Sequence, residues 1–81
     1  MIFSTLNNLN RGGIAQVYDL DITGDMRQRL QDLGLIPGTT IECLFSSAKD
    51  AISAYLIRGS VIALRCEDAK GIVIIPCGVR V

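Results

Sequence analysis

Cys43, Cys66 and Cys77 are the residues of this chain best equipped for chemistry, because thiolates coordinate zinc and iron and act as nucleophiles. Their spacing works against a shared site. None lies within roughly two to four residues of another, the interval of a metal-binding knuckle. The chain has no histidine, which removes the most frequent transition-metal ligand, the commonest general base, and every dyad or triad built on an imidazole. An odd number of cysteines, three, predicts free thiols rather than disulfides, and Cys43, alternating in step with Ile41 and Phe45, reads as a small buried hydrophobe.

The carboxylates Asp19, Asp21, Asp25, Asp32, Asp50, Glu67 and Asp68 fall mostly in turns or on an exposed helix face, where solvation rather than paired acid and base action is expected. No G-x-x-x-x-G-K-[ST] or G-x-G-x-x-G segment follows a strand pattern, so no loop is built to cradle nucleotide phosphates. These residues predict a non-enzyme with no catalytic residues, no cofactor and no metal ligands of its own.

Charge narrows the partners. Eight basic residues balance eight acidic ones and are scattered along the chain, so no basic face is available to neutralise a phosphate backbone and nucleic acid is not an expected partner. Phe3, Tyr18, Phe45 and Tyr55 are the aromatic residues, too few for base stacking or for a groove that grips proline-rich peptides. Hydrophobic residues make up 49% of the chain, which implies dense burial or an apolar patch kept for a partner. No window approaches the ~18 consecutive apolar residues of a membrane span, and Met1 to Thr5 lack a basic segment leading into an apolar one. A soluble, cytoplasmic protein with no direct membrane span is expected.

The elements that must position these residues follow from periodicity. At 81 residues the chain is expected to form one domain, 1–81, with a single small core. Ile14 to Leu20 reads as a first strand, with Ile14, Tyr18 and Leu20 on one face and Ala15 and Val17 on the other. Met26, Leu30 and Leu33 form one apolar stripe of a helix from about Gly24 to Leu33, capped by Thr23, with Asp25 and Arg29 as an i,i+4 pair. Gly34 stops that helix, and Pro37-Gly38 supplies the second and third positions of a type II turn. From Thr39 the period changes to two, with Ile41, Cys43 and Phe45 on one face, followed by a polar loop at Ser46 to Ala51.

The next strand pattern runs from Ser53 to Arg58, turns at Gly59-Ser60 in a type II′ hairpin, and returns as Val61 to Arg65. Glu67 to Lys70 reads as one helical turn ended by Gly71, and Ile72 to Ile75 as a last strand stopped by Pro76. The fold class is mainly β with one short helix, a small partly open barrel of about five strands.

Four segments carry a resemblance. Arg27-Gln28-Arg29-Leu30-Gln31-Asp32-Leu33-Gly34-Leu35-Ile36-Pro37-Gly38-Thr39, together with Leu6 to Ile14, Tyr55 to Gly59 and Ala63 to Ile72, resembles in order the motifs of the FeoA family, small cytosolic proteins of bacterial ferrous iron uptake. The resemblance implies an SH3-like barrel and an accessory or regulatory role in which the chain docks on the cytosolic GTP-binding part of the FeoB transporter and modulates transport. Asp50-Ala51 departs from the Asp-Pro pair expected of the family at that loop.

On that reading Arg27, Arg29 and Asp32 on the helix, with Arg65, are the candidate partner-binding residues, since guanidinium groups make bidentate contacts and are enriched at interfaces. A monomer or weak homo-oligomer is expected. Two other roles stay open from the residues alone: a small transition-metal sensor, or a subunit that self-associates through an exposed edge strand.

Overall fold

The computed structural model describes residues 2–47 and 51–79. Its strands are β1 (Ser4–Thr5), β2 (Gly13–Leu20), β3 (Thr40–Ser47), β4 (Ile52–Ile57), β5 (Ser60–Arg65) and β6 (Ile72–Val79). A 3-10 turn at Leu6–Asn8 follows β1, helix α1 (Asp25–Asp32) follows β2, and the single-turn helix α2 (Cys66–Ala69) follows β5. The strands form one six-stranded antiparallel sheet in the order β1-β6-β2-β3-β4-β5. The mainly β class with one principal helix is therefore as the sequence indicates, with the two-residue β1 added to the five strands anticipated.

The core is drawn from every part of the chain. Leu6, Ala15, Val17, Leu30, Leu35, Ile41, Cys43, Tyr55, Ile57, Ile72 and Ile74 are all buried, and among the described residues no polar or charged residue is. Tyr55 enters this core with its hydroxyl donating to the Leu6 carbonyl at 3.4 Å, which pins the N-terminal turn to β4.

Strand faces differ from a strict alternation because the sheet contains three bulges. Between Val17↔Ile74 and Asp19↔Val73, Tyr18 is an extra residue on β2, so Val17 and Leu20 can both point inward while Tyr18 lies outside against Phe3. The buried face of β2 is accordingly Ala15-Val17, not Ile14-Tyr18. On β3 the shift between Cys43↔Tyr55 and Phe45↔Ala54 makes Leu44 the extra residue, and Phe45, expected on the face of Cys43, is 55% exposed. Cys77 is the extra residue of β6 between Ile14↔Gly78 and Ala15↔Pro76. Pro76 does not end that strand, because it lies beyond the last pairing with β1 and costs no ladder bond on that side.

Helix α1 begins one residue later than expected, with Gly24 at the cap position and no side-chain capping bond, so Thr23 does not cap it. Its other end is a complete Schellman closure. The Gly34 N–H donates to the Gln31 carbonyl at 2.9 Å and the Leu35 N–H to the Leu30 carbonyl at 3.0 Å, with Gly34 at φ 103°. Leu35 thereby drops into the core beside Leu30, while Leu33, third member of the apolar stripe, is left 46% exposed. Asp25 and Arg29 make no ion pair.

The chain then reverses through Ile36 to Thr39, closed by a Thr39 N–H to Ile36 carbonyl bond of 3.0 Å with Gly38 at φ 92°, as a type II turn requires. Two further bonds of 2.8 Å, Gly38 N–H to the Val17 carbonyl and Val17 N–H to the Thr39 carbonyl, fasten this corner to β2.

The β4–β5 hairpin pairs Ile57 with Ser60, so its two-residue turn is Arg58-Gly59 and not Gly59-Ser60. Both residues have positive φ, 51° and 82°, which makes it type I′ rather than II′. Of the loop after β3, residues 48–50, including Asp50, lie outside the described part, as do 80 and 81 at the end of the chain.

Candidate functional site

Helix α1 and strand β5 face each other across a groove of about 410 Å³. Met26, Leu30 and Leu33 line it from the helix, Ile62, Ala63 and Leu64 from the strand, and these apolar residues make its floor. Arg29, Arg65, Glu67 and Asp68 stand around it. The helix contributes because positions 26, 29, 30 and 33 share one side of it, and the strand contributes because Ile62 and Leu64 alternate toward the same face. Leu30 and Leu64 are buried while Met26 and Ile62 pack part-buried against the core, so the floor is continuous with the interior.

Arg29 and Arg65, expected to act at a surface, are thus brought to one groove from elements far apart in the chain. Arg65 is 73% exposed at its side chain and lies 3.9 Å from the equally exposed Glu67, a pairing too solvated to hold the guanidinium in place. Arg27 and Asp32 are elsewhere. Arg27 points back along the helix and donates to the Leu20 and Ile22 carbonyls, tying α1 to the end of β2. Asp32 accepts a 2.9 Å bond from the Gln28 amide on the side of α1 away from the groove lining.

The sequence reading assigned Met26, Leu30 and Leu33 together to the core and gave no role to Ile62 and Leu64. The signal for the groove was the Leu35 that follows Gly34: a second leucine competes with Leu33 for the core, and only one can occupy it.

The three thiols are apart in kind. Cys43 is fully buried, with burial pushing its thiol above the usual range and a weak bond to the Phe45 carbonyl opposing that; Cys66 is part-buried and Cys77 exposed. Among the described residues no group of three His, Cys, Asp or Glu side chains could hold a metal ion. Tyr55 is likewise raised, first by burial, and its place in the core gives it a structural bond rather than a reactive one. Among the described residues no helix is long and apolar enough to cross a membrane.

The curled antiparallel sheet, the corner helix and the groove between them define a small SH3-like barrel whose cleft has an apolar floor edged by Arg29, Arg65, Glu67 and Asp68. The FeoA domain profile matches residues 4–76, and the chain belongs to the FeoA family. A solved FeoA protein from Chlorobium tepidum superposes with a TM-score of 0.85 at 25% identity, over 93% of this chain and 71% of that one. An iron uptake regulatory protein, also FeoA, gives 0.84 at 22% identity over 95% and 100% of the two chains. Stenotrophomonas maltophilia FeoA complexed with zinc, described as a procaryotic SH3 domain protein, gives 0.77 at 22% identity over 89% of each. No curated protein matches the chain.

Proposed function

We propose that this chain is a cytoplasmic, non-enzymatic accessory protein of ferrous iron uptake, which docks on the cytosolic GTP-binding part of a FeoB-type transporter and modulates transport. Family membership supplies the iron-transport context, and the Stenotrophomonas relative has itself been put forward as a ferrous iron transport activating factor. The observation that carries the docking reading is the groove, where Arg29 and Arg65, with Glu67 and Asp68, edge an apolar floor that includes the 46% exposed Leu33. An apolar centre with arginine beside it is a composition that protein interfaces favour.

Of the residues proposed for partner binding, Arg29 and Arg65 line this surface, Asp32 lies on the other side of α1, and Arg27 supports the groove by fixing the helix to β2. Modulation follows if the chain binds one conformation of the transporter's cytosolic part more tightly than another, shifting the population by its difference in affinity.

Calorimetry of the purified chain with that cytosolic part, with and without GTP, tests the reading. A saturable heat whose affinity differs between the two nucleotide states is the expected result. Absence of binding up to roughly 50 μM in both states, a concentration where even a weak transient complex would register, would remove it.

A further inference from the structure

The groove is bounded on one side by a sheet edge. Among the described residues β5 pairs with β4 alone, and Ser60, Val61, Ala63 and Arg65 along it are exposed. Residue pairs in an antiparallel ladder alternate between those that exchange hydrogen bonds and those that do not. Starting from the Ile57↔Ser60 pair that closes the hairpin, Ser60, Ile62 and Leu64 direct their main-chain groups toward β4. Val61 and Ala63 therefore direct theirs outward.

Open edges are usually blunted by a bulge, a proline or a central lysine. β5 has none of these: its register with β4 is unbroken over all six pairs, and Val61 at its outer face is 65% exposed. The opposite edge of the sheet, β1, is two residues long. An unprotected edge lying directly beside a cleft with an apolar floor is the arrangement by which a sheet accepts an additional strand, the main chain giving affinity and alternate side chains entering the cleft.

We propose that β5 is a strand-acceptor edge, and that the occupant is an extended segment of the transporter's cytosolic part, with apolar residues at alternate positions and a carboxylate placed against Arg29 and Arg65. This rests on the docking reading and specifies its chemistry. The apolar positions match Leu33, Ile62 and Leu64 in the floor. The carboxylate matches the two arginines: among the described residues Arg29 makes no ion pair and Arg65 has only the exposed Glu67 to exchange, Asp68 being the other acidic residue on the lining. Helix α1 forms the far wall of the groove, and a second copy of this chain joining through its own β5 is the competing occupant that the concentration series separates.

The test is amide hydrogen exchange by NMR on the full chain, alone and with the cytosolic part of FeoB, together with binding of Ala63→Pro and Ala63→Val. Proline at an outward-facing edge position removes the N–H without breaking the β4 ladder, and valine keeps it. Exchange at Val61 and Ala63 should slow by about tenfold or more in the complex, the scale of a protected main-chain hydrogen bond. Ala63→Pro should bind about tenfold more weakly than the unaltered chain, and clearly more weakly than Ala63→Val, which alters the same lining side chain but keeps the N–H.

A complex that forms with Val61 and Ala63 still exchanging freely would overturn strand addition and leave docking standing. No complex at all would overturn both. Protection of the same two amides that rises with the chain's own concentration, without FeoB, would assign the edge to self-association and overturn the proposal.

Discussion

Cys43, Cys66 and Cys77 share a side-chain type and almost nothing else, because exposure decides what a thiol can do. A neutral alkylating reagent should modify Cys77 first and Cys66 more slowly, and should reach Cys43 only on unfolding; mass spectrometry over a denaturant series reads the order. Burial of Cys43 and Tyr55 also fixes how stability responds to alkali. Both groups are acids whose folded values are raised above ordinary values of 9.0 and 10.0. Below pH 9 each is protonated in both states and contributes no pH dependence. Above it the unfolded chain releases protons that the folded chain retains, so stability falls as pH rises. The denaturation midpoint should therefore decline above pH 9, and Cys43→Ala, though less stable at neutral pH, should show a shallower decline. An unchanged slope would mean that Cys43 ionises freely in the fold. The sequence already marked Cys43 as a buried hydrophobe, since its neighbours at two-residue steps are apolar; Phe45 misled because one inserted residue lay between.

At the scale of elements, helix α1 and its corner are what the residue pattern described best. Gly34, Pro37 and Gly38 act through backbone conformation, which their side chains announce, and all three occupy the turns anticipated for them. Gly34→Ala would place a methyl group against the Arg58 side chain in a backbone conformation that costs an L residue about 1–2 kcal/mol, and thermal or urea unfolding should register a loss of that size. Arg58 is the converse case, since it holds φ 51° at a type I′ turn position that asparagine or glycine occupies with less strain. Arg58→Asn should raise stability by up to about 1 kcal/mol on urea unfolding; a clear loss would contradict this and show that Arg58 packing against Gly34 outweighs the backbone strain. Ala51 likewise holds φ 53°, a value closed to proline, so the absence of the Asp-Pro pair expected from the resemblance coincides with a backbone proline could not follow. Bulges at Tyr18, Leu44 and Cys77 were not legible in the sequence, because an extra residue in one strand is defined only by the partner strand it fails to match.

For the molecule as a whole, the barrel was legible and the cleft only half so. Arginines at 29 and 65 could be singled out by their chemistry, but nothing local to either position says that α1 and β5 meet across a groove; that follows from the curling of the open sheet, which sequence separation hides. Arg27, two residues from Arg29, lies on nearly the opposite side of the helix and so faces main-chain carbonyls instead of the groove. The central claim is that this cleft is the docking surface, and calorimetry of the Arg29→Ala/Arg65→Ala double variant against the cytosolic part of FeoB tests it most directly. Phe45→Ala, at an exposed apolar residue outside the cleft, serves as the comparison, with unfolding curves confirming that both variants fold. The account predicts that the double variant loses affinity by about tenfold or more while Phe45→Ala binds like the unaltered chain, as expected when few residues dominate an interface. Unaltered binding by the folded double variant would contradict it and move the docking surface away from the groove.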